Sequence, residues 1–346
     1  MQTLMGSRAK TCAFAVCGVV GMLIPAMQPL RADELASFPR ILLLGGKTAG
    51  KADKRAAESA QPEILEAGSS SATARKAALA ALPLNQLRPD QRAKANSILG
   101  SISFYRRLPK VSFPVEPEVY NYFVAHPDVT ASLWRAMNIS KLEMWQTARY
   151  EYEADLKDGT LGVVEALLQS PDRQLVFCDG SFKSPLLTKP IKARSLLLLE
   201  TTLEKHADGR ATATHRAELF VSFPSETVEA ISKVLTPVTT TITDKTFSEV
   251  SLFLKLMSRA MASRPDWVED LVQKMDGVTD IRKKQVRELS DHVHTTSRQR
   301  AVVSALQTEA AELSKEREPM ADVILPVVSD NPRLVPPTTD AKPVRR

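Results

Sequence analysis

Between Ile139 and Phe223 apolar and polar residues alternate in short runs, the period of strands that keep one face on a core and the other toward water. In "LEMWQTARYEYEA" the residues Leu142, Met144, Tyr150 and Tyr152 share one parity, while Glu143, Arg149, Glu151 and Glu153 take the other. Asp158-Gly159 predicts a hairpin turn into "TLGVVEALLQ", and Pro171-Asp172 predicts a second into "RQLVFCDGSF". The long run "IKARSLLLLETTLEKH" follows. After a turn at Ala207-Asp208-Gly209-Arg210 comes "ATATHRAELFVSF", where Ala213, His215, Ala217, Leu219 and Val221 alternate with Thr214, Arg216 and Glu218. About six consecutive strands joined by short polar turns predict one antiparallel meander.

The spacing changes on both sides of this region. "PEVYNYFVAHPDVTASLWRAMN" predicts two short helices broken at His126-Pro127, with Asp128 or Thr130 placed to cap the second. In "SETVEAISKVLTPVTTTITDKTFSEVSLFLKLMSRAM", Val228, Ile231, Leu235, Val238, Ile242, Val250, Met257 and Met261 keep helical spacing. Ser225, Glu226 and Glu229 suit the start of that helix, and Pro237 predicts a kink or a split. Its second half is apolar on more than one face, so the sheet alone cannot cover it. Residues 280–315 predict a further, charged helix with Val286, Leu289, Val293, Val303, Leu306, Ala310 and Leu313 as an interrupted stripe. A solvated helix packed on the domain and a short coiled-coil or partner-binding helix both fit that stripe.

Composition divides the rest of the chain. Residues 1–32 place Arg8 and Lys10 before the apolar run "TCAFAVCGVVGMLIPAM", with Ala32 at a cleavage point, which is the order of a secretory signal peptide. The apolar core is too short to span a bilayer comfortably as a helix. An uncleaved anchor and an ordinary buried helix are the alternatives. Residues 33–90 are rich in Ala, Lys, Gly and Ser and are expected to be a low-complexity linker. The domain is expected over 91–265, a charged helical extension over 266–318, and a disordered Pro-rich tail over 319–346.

Cleavage after Ala32 removes Arg8, Lys10 and Arg31 and no acid, so the formal charge falls from +6 to +3. The remaining charge is mixed, without the basic stripe of a nucleic-acid footprint. Cleavage also removes Cys12 and Cys17, which leaves Cys178 without an internal disulfide partner. The chain reads as exported, periplasmic or extracellular, and sits near a membrane if the leader is retained.

Candidate chemistry is sparse. "ILLLGGKTAGKA" at 41–52 has the skeleton of a phosphate-binding loop, but Ala52 stands where the Mg²⁺-binding hydroxyl belongs and no alternating strand and helix pattern follows. His292 and His294 are two apart, on roughly opposite faces of a helix. His215 has inward parity and reads as a core histidine or a catalyst, and His126 as a turn residue. Glu165 and Asp179 interrupt apolar strands, as pocket carboxylates or as solvent-facing positions. Cys178 reads as a small buried hydrophobe, with a reactive thiol as the alternative. No nucleophile elbow, zinc helix or Ser/His/Asp pattern appears, and no cofactor or metal is implied.

Two short helices, an antiparallel meander and a long closing helix over 112–262 resemble the START-like, or helix-grip, superfamily. The resemblance rests on "HPDVTASLWRAM", the turns at Asp158-Gly159 and Asp208-Gly209, and "VLTPVTTTITDKTFSEVSLFLKLMSRAM". With its signal and flanks the chain also resembles uncharacterised secreted proteins of planctomycete bacteria. The resemblance is architectural and transfers no functional residue. It implies an α+β domain whose sheet of about six strands curls around the long helix, with a cavity between them for a lipid or other hydrophobic small molecule. The expected lining is Leu142, Met144, Tyr150 and Tyr152 from the first strand; Phe177, Leu197, Leu199, His215 and Leu219 from later strands; and Val250, Phe253 and Met257 from the helix. An exported, noncatalytic binding protein is the leading expectation. The alternative is an envelope interaction protein with a solid core and a partner-binding helix at 280–315.

Overall fold

The computed structural model describes residues 61–183, 190–207, 209–223 and 237–316. The expected leader, the phosphate-loop-like stretch, the expected helical stripe from Val228 to Leu235 and the Pro-rich residues 319–346 lie outside these. The described elements begin with β1 (Glu63–Glu66), α1 (Ala72–Ala81), α2 (Pro89–Leu99), β2 (Phe104–Arg107) and β3 (Lys110–Val115). They continue with α3 (Pro117–Ala125), α4 (Pro127–Ala136), β4 (Glu143–Ala148), β5 (Glu151–Asp155), β6 (Thr160–Gln169) and β7 (Arg173–Phe182). Then come β8 (Ile191–Lys205), β9 (Ala211–Ser222), α5 (Pro237–Ser263), α6 (Pro265–Lys274) and α7 (Asp280–Glu316).

Strands β4 to β9 form the expected antiparallel meander, each paired with the next. The described sheet is larger, with nine strands, because β1, β2 and β3 join at the β9 edge. β2 and β3 both pair antiparallel with β9, and the register slips by one residue between Arg107↔Glu218 and Val111↔His215. Pro109, which has no N–H to give the ladder, sits in that slip, while Leu108 N still donates to Ala217 O at 2.8 Å. "LEMWQTARYEYEA", expected as one strand, is a hairpin. A bulge between Gln146 and Ala148 and a turn at Arg149-Tyr150 separate β4 from β5.

Local chemistry sets the other boundaries. Helices α2, α3, α4 and α6 begin on a proline, whose fixed φ suits the first helical position and whose missing N–H would be unpaired there anyway. The described part of α5 runs from Pro237, and the kink or split expected there falls at the limit of the described residues. Asp128 and Thr130 do not cap α4, whose N-cap is His126 without a side-chain bond. The β5–β6 turn needs Gly159 at φ 98°, where an added Cβ would lie 2.1 Å from Lys183 O.

Both faces of the sheet are covered. On the inner face Phe113, Val164, Leu197, Leu219 and Val221 join α3 to α7 in one core that includes Phe253, Met257, Val272, Val286 and Val293. On the outer face Tyr105, Leu175, Phe177, Leu196, Leu198 and Phe220 pack with Ala78, Ala95 and Ile98 of α1 and α2. This corrects two expected boundaries. Residues 61–90 carry β1, α1 and the start of α2 rather than linker, because Ala74, Ala78, Leu82 and Leu87 are buried against the outer face. Likewise α6 and the first part of α7 belong to the domain rather than to an extension, since Val268, Leu271, Val286 and Val293 are core residues. Arg300 fastens α7 with two bonds to the Glu116 carboxylate, at 2.7 and 2.8 Å. Residues from Val303 on form a separate unit, whose side chains through 312 are exposed.

Candidate functional site

Where β4 to β8 approach α3, α4 and α5 the inner core is incomplete, and a cleft of about 170 Å³ opens. Its walls carry Trp134 of α4, Leu142, Met144 of β4, Val176 of β7, Leu197 of β8 and Leu254 of α5; Gln169 and Gln174 stand beside the β6–β7 turn. No lining residue carries a formal charge.

The structure brings Leu142, Met144, Tyr150, Tyr152, Leu197, Leu199, His215 and Val250 to this cleft. Tyr150 is there as a turn residue, 41% exposed, with the Arg149 guanidinium 5.1 Å from its ring centre. Phe177 is not there. Odd positions of β7 face outward, so Phe177 packs on the α1–α2 side and its neighbour Val176 lines the cleft. Leu219, Phe253 and Met257 also fall outside the lining and pack in the inner core. Phe123, Trp134 and Leu254 are among the lining residues that were not expected. Only the apolar spacing of the two short helices and the crowded apolar face of α5 could have signalled them.

His215 sits on the cleft's inner side within a chain of hydrogen bonds. Ser251 Oγ donates to Phe247 O at 2.8 Å, which leaves it to accept from His215 Nε2–H, also at 2.8 Å. The other ring nitrogen, Nδ1, then accepts from Tyr120 O–H at 3.0 Å, and Tyr120 oxygen accepts from Thr201 at 2.6 Å. Every member has a partner, and the pattern requires a neutral imidazole. Burial among Phe113, Tyr120 and Phe247 pushes the His215 pKa down to about 3. A group so satisfied is poorly placed to act as a base. Tyr152 donates to Ala125 O at 3.3 Å, and burial, with Asp128 nearby, pushes its hydroxyl up to about 12.

The other candidate residues have structural partners. Glu165 faces outward and pairs with Lys94 of α2. Asp179 pairs with Arg194 at 3.4 Å on an open surface. Cys178 is buried, which pushes its thiol pKa up. His126 ends α3 beside Tyr122 and Arg282; its pKa is lowered by burial and by Arg282. His292 lies 3.8 Å from Glu118, and His294 Nδ1 lies 2.9 Å from Ala262 O. A larger trough of about 990 Å³ lies across the outer face of the sheet, but it is open, and Glu153, Asp179, Lys192 and Arg194 mix both charges in it. The inner cleft is the better-formed site because it is uncharged and apolar.

No protein-family model matches the chain, and no curated protein matches it. Among solved structures, a conserved protein from Geobacillus kaustophilus is 11% identical, covering 52% of this chain and 93% of that chain at a TM-score of 0.26. Protein Ms6760 from Mycobacterium smegmatis is 10% identical, covering 42% of this chain and 89% of that chain at a TM-score of 0.25.

Proposed function

We propose that the chain is an exported, noncatalytic binding protein of START-like architecture that holds a small hydrophobic molecule in the cleft between sheet and α5. The observation that carries this reading is the cleft itself: an uncharged, largely apolar recess beside the inner core. Its order of elements from β3 on, a strand paired to the last strand of the meander, two short helices, the six-stranded meander and a closing helix, supports the architectural part. At about 170 Å³ the recess suits a single ring or a short chain rather than a two-chain lipid; an engineered apolar cavity of about 150 Å³ takes up benzene.

Calorimetric titration of the full chain with single-ring hydrocarbons, beside mass spectrometry of its organic extracts, tests this. Saturable binding is expected, and Val176→Phe, which places a ring in the recess, should abolish it while leaving the melting temperature within a few degrees. A wild-type chain that neither binds these probes nor carries an extractable ligand overturns the reading.

A second reading is favoured by exposed Val303 and Leu306 on α7, which offer an apolar stripe to a protein partner. A chain ending at Val302 separates the two readings: it retains ligand binding under the first and loses partner association under the second.

A further inference from the structure

Strand register places two carboxamides side by side on the cleft face of the sheet. Even positions of β7 face inward, Cys178 and Val176 among them, so Gln174 does too. On β6, Val164 and Ala166 face inward opposite them, and unbroken alternation would send Gln169 outward. The bulge between Ala166 and Leu168 prevents this: Leu167 and Leu168 both pack on the outer face, and Gln169 lands on the inner face opposite Gln174. Bulges beside binding sites re-aim side chains in this way. Residues so opposed have Cβ atoms about 5 Å apart.

The polar side chains of the cleft fall into two groups. Deeper in, His215 spends both ring nitrogens on Tyr120 and Ser251, Tyr152 gives its O–H to Ala125 O, and Thr130 Oγ1 lies 3.5 Å from Phe123 O. The Trp134 indole nitrogen is wholly buried and out of a ligand's reach. By contrast the carboxamides of Gln169, exposed, and Gln174, half-buried, have no hydrogen-bond partner among the described residues, nor has the Tyr150 hydroxyl on the exposed β4–β5 turn. Each carboxamide both donates and accepts, so the pair suits a head group that does the same. No lining residue carries a charge to pair with an ionised head; the Arg149 guanidinium lies on the Tyr150 ring, outside the lining.

We propose that the cleft takes an uncharged amphipathic molecule of about one ring, with its apolar body inward and a carboxamide or alcohol head held at the mouth by Gln169 and Gln174. This rests on the cleft being a ligand site, as argued above, and adds the chemical class and orientation of the ligand.

The test uses three probes of one shape: phenylacetamide, its apolar counterpart isobutylbenzene, and ionised phenylacetate. Each is titrated into the full wild-type chain and into Gln169→Met and Gln174→Met, which keep the side-chain length and remove the amide. Wild type should bind phenylacetamide more tightly than phenylacetate. In both variants the affinity ratio of phenylacetamide to isobutylbenzene should fall about threefold, the loss of one hydrogen bond at a partly wet site. Nuclear Overhauser effects in the wild type read the orientation without relying on the variants: ring protons of phenylacetamide should contact Val176 and Leu197 methyl groups, and its amide protons the Gln169 and Gln174 side chains. An unchanged affinity ratio in both variants, a preference for phenylacetate, or the reverse orientation overturns the inference. Isobutylbenzene binding with any of these results leaves the cleft as a ligand site and removes only the recognition by the two amides; binding of none of the probes removes both.

Discussion

His215 is held uncharged by its surroundings, and that has a pH signature. Its ordinary pKa of 6.5 is lowered to about 3 in the folded chain, chiefly by burial. Between these values the unfolded chain takes up a proton that the folded chain refuses. The contribution is therefore fully present above about pH 6.5 and is lost as pH falls toward 3, at a limiting slope of about 1.4 kcal/mol per pH unit. Denaturant unfolding at successive pH values should show this slope in wild type and a shallower one in His215→Phe, which cannot titrate. Parallel curves for the two proteins would show that His215 does not control acid stability. The same residue illustrates how a catalyst-like position can be inert: both imidazole nitrogens are already committed to hydroxyl groups.

At the scale of elements, α7 has two different halves. Val286 and Val293 are buried in the inner core, and Arg287 and Arg300 pair with Glu269 and Glu116, whereas Val303 and Leu306 are exposed. A chain ending at Val302 should keep the melting temperature of the full protein. One ending at residue 275 should fail to fold cooperatively, because it deletes core side chains and strands the buried Glu116 without Arg300. Circular dichroism melts of the two truncations distinguish these outcomes, and equal stability would contradict this division of the helix. The meander, the two short helices and the closing helix were legible in the sequence because strand parity, hairpin turns and proline boundaries are local signals. The outer layer was not, because α1 is alanine-rich and its small residues gain apolar burial only once a sheet lies beneath them. The clue was the "LLLL" of β8. An unbroken apolar run leaves no side for water, and both Leu196 and Leu197 are indeed buried, on opposite faces. The cleft was half legible. Strand parity located Met144, Tyr152 and Leu197, but the bulge that reorients Tyr150 and the register that sends Phe177 outward arise only when strands pair.

Among the described residues, one sheet separates a small outer core from a larger inner one, and the proposed ligand cleft belongs to the inner core. Binding there would favour the folded state by mass action, by about 2.7 kcal/mol at a hundredfold excess over the dissociation constant. β8 lies between the two cores, paired with β7 on one side and β9 on the other. Peptide groups shielded above, below and laterally can meet solvent only when the whole assembly opens. Deuterium uptake at Leu196, Leu197 and Leu198 should therefore report the global unfolding equilibrium, and should slow on ligand addition even though only Leu197 of the three borders the recess.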